Sequence, residues 1–161
     1  MAQVTEKWFV TRRNTGRTLY NCHGARKVDY NGQNYTYEFS TRFARNKQSV
    51  SWNVTVMPLT TTPHTEHNAV LYKYLPDFMY PNETEQISKL MTDDSNATCA
   101  VLVTTVEVAP GNGKTPFRAC MLVQTNSTVR GEIPFQCEHV YNSSCPHVEG
   151  YEDKPWDETC E

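Results

Sequence analysis

The sequence predicts an all-β chain, and three features predict it. Apolar residues recur at every second position in several segments, clusters of Gly, Pro, Asn and Asp separate those segments, and a single stretch carries a helical pattern. The clearest alternation spans residues 34–43. Tyr35, Tyr37, Phe39, Thr41 and Phe43 share one face, while Thr36, Glu38, Ser40 and Arg42 share the other. Asn31-Gly32 stands just before it, and both residue types tolerate the positive φ of a two-residue hairpin turn. Residues 50–57 alternate in the same way, with Trp52, Val54 and Val56 on the apolar side. Asn34 and Asn53 then fall on the wet side of their strands.

The other segments repeat this pattern. Residues 7–12 form one expected strand and 19–30 hold another, while 69–75 and 85–91 are shorter candidates. Residues 98–108 and 118–124 form a hairpin across Pro110-Gly111-Asn112-Gly113. That makes about eight strands at the spacing of a barrel or a sandwich. Residues 134–145 read as the one helix, and the tail from Pro146 onward is acidic and turn-rich. No repeat or linker divides the chain, so residues 1–161 are expected to form a single domain.

Composition narrows the function. Hydrophobic residues make up 38% of the 161, and mean hydropathy is -0.64. That supplies one core beneath a very polar surface. No apolar run approaches the roughly 18 residues of a membrane span. The 15 basic and 18 acidic residues leave a net charge of -3, and they are mixed along the chain, which argues against a nucleic-acid partner. Basic residues do gather early, at Arg12, Arg13, Arg17, Arg26, Lys27, Arg42, Arg45 and Lys47, and are expected at solvated strand ends and turns.

The chain has 6 cysteines. The glycosylation pattern N-x-[ST] occurs at Asn34, Asn53, Asn82, Asn96, Asn126 and Asn142, where chance would supply about two. An even cysteine count with surplus sequons points to secretion through an oxidising compartment. The first residues, Met1 to Glu6, hold no apolar signal-peptide core, which reads as a mature secreted chain carrying a start methionine.

Catalytic patterns fail on inspection. Gly111-Asn112-Gly113-Lys114-Thr115 superficially resembles a phosphate-binding loop, but Val108 stands where the motif needs its first glycine. His64, Glu66 and His67 cluster in a Thr/Pro-rich loop, without the helical spacing that places two metal ligands on one face. Carboxylates are scattered over turns, and no nucleophile has a base beside it. The expectation is a binding protein with no catalytic residue, metal or cofactor.

Several segments together resemble the tick salivary lipocalins, the histamine-binding-protein-like family. Residues 7–14, KWFVTRRN, are similar to that family's opening strand, and residues 92–101, TDDSNATCAV, to its acidic turn and cysteine-headed strand. Cys120-Met121-Leu122-Val123 resembles the next strand. Ile133-Pro134, Cys137, Tyr141 and Cys145 resemble the C-terminal helix, and Tyr151 with Asp157-Glu158-Thr159-Cys160 the closing tail. The resemblance implies an eight-stranded antiparallel up-and-down lipocalin barrel with the helix packed outside. It also implies three disulfides, Cys22–Cys160, Cys99–Cys137 and Cys120–Cys145. Strand parity agrees. If Ala100, Leu102 and Thr104 face inward with Met121 and Val123, then Cys99 and Cys120 face outward, toward an external helix.

The resemblance also bears on the ligand. Amine-binding members are similar to one another in a C-D-V motif followed by E-L-W or E-L-Y, whose acids pair with the ligand ammonium. Here those positions are Ala100, Met121 and Val123. The expected binding residues are therefore an apolar set: Tyr37, Phe39, Trp52, Val54, Val56, Ala100, Leu102, Met121 and Val123. Small barrels either fill with such side chains or hold one ligand. The resemblance implies cholesterol, an eicosanoid or a fatty acid, with the cholesterol-binding, Japanin-type branch one home. Two other readings stand beside it. One is an amine scavenger with acids near the rim, such as Glu38 or Asp29. The other is an inhibitor that binds a host immune-cell or plasma protein through the barrel exterior. A monomer is expected, and a charge placed at Ala100 is expected to leave the fold intact.

Glycan positions follow from strand phase. Asn34 and Asn53 are expected to carry glycans when the chain is made in a secretory host, and peptide mapping checks this. Either asparagine unmodified would count against the strand phase. Asn96 and Asn142 lie where the implied bridges crowd the acceptor.

Overall fold

The computed structural model describes residues 4–74, 85–108 and 115–161. It is a closed antiparallel barrel in which each strand pairs with the next and the last returns to the first. The strands are β1 (Trp8–Arg13), β2 (Tyr20–Tyr30), β3 (Tyr35–Phe43), β4 (Ser49–Leu59), β5 (Ala69–Tyr72), β6 (Gln86–Asp93), β7 (Cys99–Val108) and β8 (Thr115–Thr125). One helix, α1 (Phe135–Ser144), follows. Closure removes the exposed edges that a sandwich would keep. Among the described residues, no helix is long and apolar enough to cross a membrane. Asn82, Leu75 and the turn at 110–113 lie outside the described residues.

Register shows how one sequence serves two apolar surfaces. β7 and β8 pair Ala100 with Val123 and Leu102 with Met121 on the inward phase. The outward phase pairs Val101 with Leu122 and Val103 with Cys120. Those outward residues pack with Cys99 against Cys137, Tyr141 and Cys145 of the helix and its end. Cys137 and Tyr141 are four residues apart, so they share one helix face. The bridges Cys99–Cys137 and Cys120–Cys145 clamp that face at both ends. The Arg12 guanidinium lies 4.7 Å from the Tyr141 ring centroid, closing the contact from the side.

The turns obey local chemistry. Between β2 and β3, the Asn31 N–H donates to the Asn34 carbonyl, and the Asn31 carboxamide oxygen accepts from the N–H groups of Gln33 and Asn34. Gly32 alone has positive φ there, at 92°. The turn is thus centred on Gly32-Gln33, one residue later than Asn31-Gly32, because the asparagine acts as the hydrogen-bonding first residue. Between β6 and β7, one Asp94 oxygen accepts from the N–H groups of Thr98 and Cys99 at 2.6 and 2.8 Å, and holds the tight turn.

The C-terminal tail is structural. β1 and β2 share only two registered pairs, Trp8 with Ala25 and Phe9 with Gly24. Beyond them the strands separate, and the tail occupies the seam. Arg13 exchanges backbone hydrogen bonds with Asp153, Gly16 N–H donates to Tyr151, and Cys22 N–H donates to Pro155. The Cys22–Cys160 bridge fixes the tail end. Two basic residues expected in solvent are therefore buried. Arg13 is paired with Asp153 at 2.6 Å, and Arg42 with Asp157 at 2.9 Å. Arg42 also donates to the Thr159 carbonyl at 3.0 Å. The tail covers both guanidiniums, and nothing in the local pattern of β1 or β3 signals that cover.

The Cys22–Cys160 bridge spans 138 residues. Replacing both with serine is expected to cost about 4–5 kcal/mol in a denaturant titration, since the unfolded chain regains that loop entropy. Replacing Cys120 and Cys145, only 25 apart, should cost less.

Candidate functional site

The interior is built from two facing walls. On one, Trp52, Val54, Val56 and Tyr72 are buried with Tyr37, Phe39, Val50, Val70 and Tyr74 against them. On the other, Trp8, Ala100 and Val123 are buried with Val10, Leu90 and Met121 against them. All nine residues of the expected apolar set lie on the inward phase of their strands. They differ in access. Trp52, Val54, Val56, Ala100 and Val123 are sealed within the walls, whereas Tyr37, Phe39, Leu102 and Met121 keep accessible surface. Val10 and Leu90, which pack with the second wall, are likewise only partly buried.

Ala100 is fully buried against Trp8 and Val123. An aspartate there would bury an unpaired carboxylate in close-packed core. This burial argues against the expectation that the fold tolerates a charge at this position. Glu38 and Asp29 do not serve the cup either. Glu38 lies on the outer phase of β3 and pairs with Arg26 at 3.3 Å. Asp29 is exposed, opposite the outward Thr36.

Among the described residues, two hydrogen-bonded polar groupings stand out against the apolar lining. The first is a chain of buried hydroxyls, in which Tyr72 Oη lies 3.0 Å from Ser88 Oγ and Ser88 bonds Thr104 Oγ1. It ties β5, β6 and β7 together across the inner surface. The second lies at the end of the barrel that carries the β1–β2 connection. His23 Nδ1 is 2.8 Å from Tyr74 Oη, and His23 Nε2 is 3.3 Å from Arg13 Nη1 and from the Tyr20 carbonyl. Arg13 donates in turn to Asp153 and Thr18. Tyr74 joins this group to the apolar wall, with its ring 5.5 Å from Phe39 and its carbonyl accepting from the Trp52 indole at 2.8 Å.

Arg13, His23, Tyr74 and Asp153 escape a reading of alternation for a physical reason. Strict alternation from Trp8 puts Arg12 inward. A bulge between Val10 and Arg12 reverses the phase and turns Arg13 inward instead. A second irregularity, between Asn21 and Gly24, includes Cys22 at a φ of 54°. Neither bulge has a glycine or proline at its centre, so neither leaves a residue signature. Elsewhere, His64, Glu66 and His67 are exposed in the β4–β5 loop. Cys22, Asp157 and Cys160 converge, but the two sulfurs are already joined to each other and are not thiolate ligands.

Electrostatics set the state of His23. Burial first, and then the Arg13 cation, push its imidazole down to about 4, against the opposing effects of the Tyr20 carbonyl and Asp153. The interior therefore presents a neutral imidazole at pH 7, with the Arg13 cation beside it matched by Asp153.

A closed up-and-down barrel of eight strands, with an apolar interior and a helix clamped outside, defines a lipocalin-like binding protein. The family model described as tick histamine binding protein matches residues 4–161. The chain belongs to the tick histamine binding protein family, a group of salivary lipocalins. No curated protein sequence matches it. Among solved structures, it is similar to Japanin from Rhipicephalus appendiculatus, described as bound to cholesterol. The TM-score is 0.65 at 15% identity, over 98% of this chain and 96% of that one. It is also similar to the siderocalin Ex-FABP, described as functioning through dual ligand specificities. There the TM-score is 0.56 at 13% identity, over 97% and 96% of the two chains. At these identities the likeness establishes the fold.

The depressed His23 value makes stability depend on pH. Unfolding releases the imidazole to its ordinary value of 6.5, so the unfolded chain binds the extra proton between about pH 6.5 and 4. Stability is complete above that window and falls as pH drops through it, by roughly 3 kcal/mol at most. Denaturant titrations at pH 7.5 and pH 4.5 should show this loss, and His23→Gln should reduce it. An unchanged pH slope in the variant would refute the assignment.

Proposed function

We propose that this chain is a secreted protein that takes an apolar or amphipathic small molecule, a sterol, eicosanoid or fatty acid, into its barrel. By sequestering that molecule it modulates a host immune or inflammatory response. The observation that carries the reading is the wall formed by Ala100, Leu102, Met121 and Val123. Among the described inward-facing residues of β7 and β8, no carboxylate stands where an ammonium would need one. A buried cation without such partners is costly. A lipid instead gains about 25 cal/mol per Å² of apolar surface buried. The exposed edges of Tyr37, Phe39, Leu102 and Met121 offer that surface, and Met121 adapts readily to irregular guests. The polar cluster at His23 and Tyr74 suits the oxygenated end of an amphipathic molecule. The cholesterol held by Japanin is a precedent within the same fold. The three disulfides and the surplus sequons support secretion.

Native mass spectrometry of protein from a secretory host, followed by calorimetry, tests the proposal. A sterol, fatty acid or eicosanoid should bind. Histamine should bind roughly 10²- to 10⁴-fold more weakly than to a site with two carboxylates, because two charge-assisted hydrogen bonds are missing. Met121→Glu, at a partly exposed wall position, should weaken lipid uptake on the order of tenfold or more without unfolding the barrel. Tight histamine binding with no lipid uptake would sink the proposal in favour of an amine scavenger.

A further inference from the structure

The outer face of α1 carries a feature that neither the cup nor the barrel wall uses. Phe135 is 79% exposed, at the first position of the helix. Its ring stacks on His139, with centroids 5.5 Å apart and planes 18° apart. Together with Glu138, Asn142 and Ser143 the pair lines a shallow groove of about 300 Å³. A stacked aromatic pair left in water at the edge of a groove offers a flat surface on which a partner group can pack. Its occupant is indicated by Asn142, which begins the sequon Asn142-Ser143-Ser144 and is exposed in the same groove, not crowded as expected, because Cys137 and Cys145 are buried against the barrel.

We infer that the Phe135–His139 stack is the seat of the N-linked glycan carried by Asn142, which lies along the helix with its first sugars packed on the two rings. Helix geometry supports the direction. Seven residues make nearly two turns, so Phe135, His139 and Asn142 share one stripe, with Asn142 about 4.5 Å beyond His139 along the axis and about 10 Å beyond Phe135. Helical side chains lean toward the N-terminus, so a glycan leaving Asn142 starts over His139 and grows toward Phe135. The C–H face of a pyranose complements the electron-rich face of an aromatic ring. The sugar hydroxyls stay in water, and Glu138 at the groove edge can accept from them. The inner face of this helix is already committed, with Cys137 and Tyr141 buried against the barrel. The inference rests on the secretion proposed above.

The test is a double-mutant cycle on the full chain from a secretory eukaryotic host, comparing wild type, Phe135→Ser, Asn142→Gln and the double variant. Peptide mapping should find Asn142 occupied in the first two. Phe135→Ser should then lower Tm by about 2–4 °C in the glycosylated chain and leave it nearly unchanged without the glycan. Ser144→Ala, which removes the sequon and keeps Asn142, should reproduce the Asn142→Gln result. Carbethoxylation of His139 should be slower in the glycosylated chain. Asn142 found bare while other sequons are occupied would overturn the inference and leave secretion standing. If every sequon were bare, both would fail. Equal Tm changes in the two backgrounds, with His139 equally reactive, would also overturn it and return the aromatic pair to a protein partner.

Discussion

The seam between β1 and β2 is the constraint on which the barrel depends. Two strands that share two registered pairs cannot close a cylinder by themselves. The gap is filled by the tail, and the tail is held by the buried Arg13–Asp153 pair and the Cys22–Cys160 bridge. A buried ion pair is a weak source of net stability, because desolvation of both ions offsets their attraction. Its value here is positional. Arg13 must face inward once its backbone pairs with Asp153, and an unpaired guanidinium in that place would be costly. The pair therefore specifies one seating of the tail. It also fixes His23 and, through Tyr74, the end of the apolar wall nearest the seam.

A second constraint is the division of β7 and β8 between two masters. Each strand alternates, so every residue given to the cup leaves its neighbours to the helix. Ala100, Leu102, Met121 and Val123 serve the interior, while Cys99, Val101, Cys120 and Leu122 serve the helix interface. Both surfaces are apolar, which explains why residues 99–103 read as a continuous apolar run and not as a clean alternation. The disulfides belong to the outer phase, so chemistry inside the cup can change without touching the bridges. That separation lets one scaffold carry different ligand walls. In this chain the cup positions on those two strands include Ala100 and Met121, neither of them charged.

Among the described residues the polar groups of the interior are fewer than the apolar ones, and most bond to one another, while the buried Trp8 indole N–H has no hydrogen-bond partner there. Tyr72, Ser88 and Thr104 bond to one another, and His23 is matched by Tyr74 and Arg13. Such networks hold strands in register while leaving the remaining wall apolar. The neutral state of His23 at pH 7 adds no charge beside the matched Arg13–Asp153 pair.

Much of this was legible in the sequence. Alternation over residues 34–43 and 50–57 determined two strands and their phases, since a period of two allows only one face to be apolar. The parity of Cys99 and Cys120 against Ala100 and Met121 directed both cysteines outward, and the family resemblance supplied their partners. Tertiary structure decided the rest. Arg13 and Arg42 read as surface residues because their covers, Asp153 and Asp157, lie more than a hundred positions away. Bulges in β1 and β2 reversed the phase without a residue signature. Ala100 proved sealed and Met121 accessible although both face inward, because access depends on what the opposite wall and Trp8 fill. Strand phase is a local property that a chain carries in its own order of residues; cover, bulging and access arise only when distant segments compete for the same space.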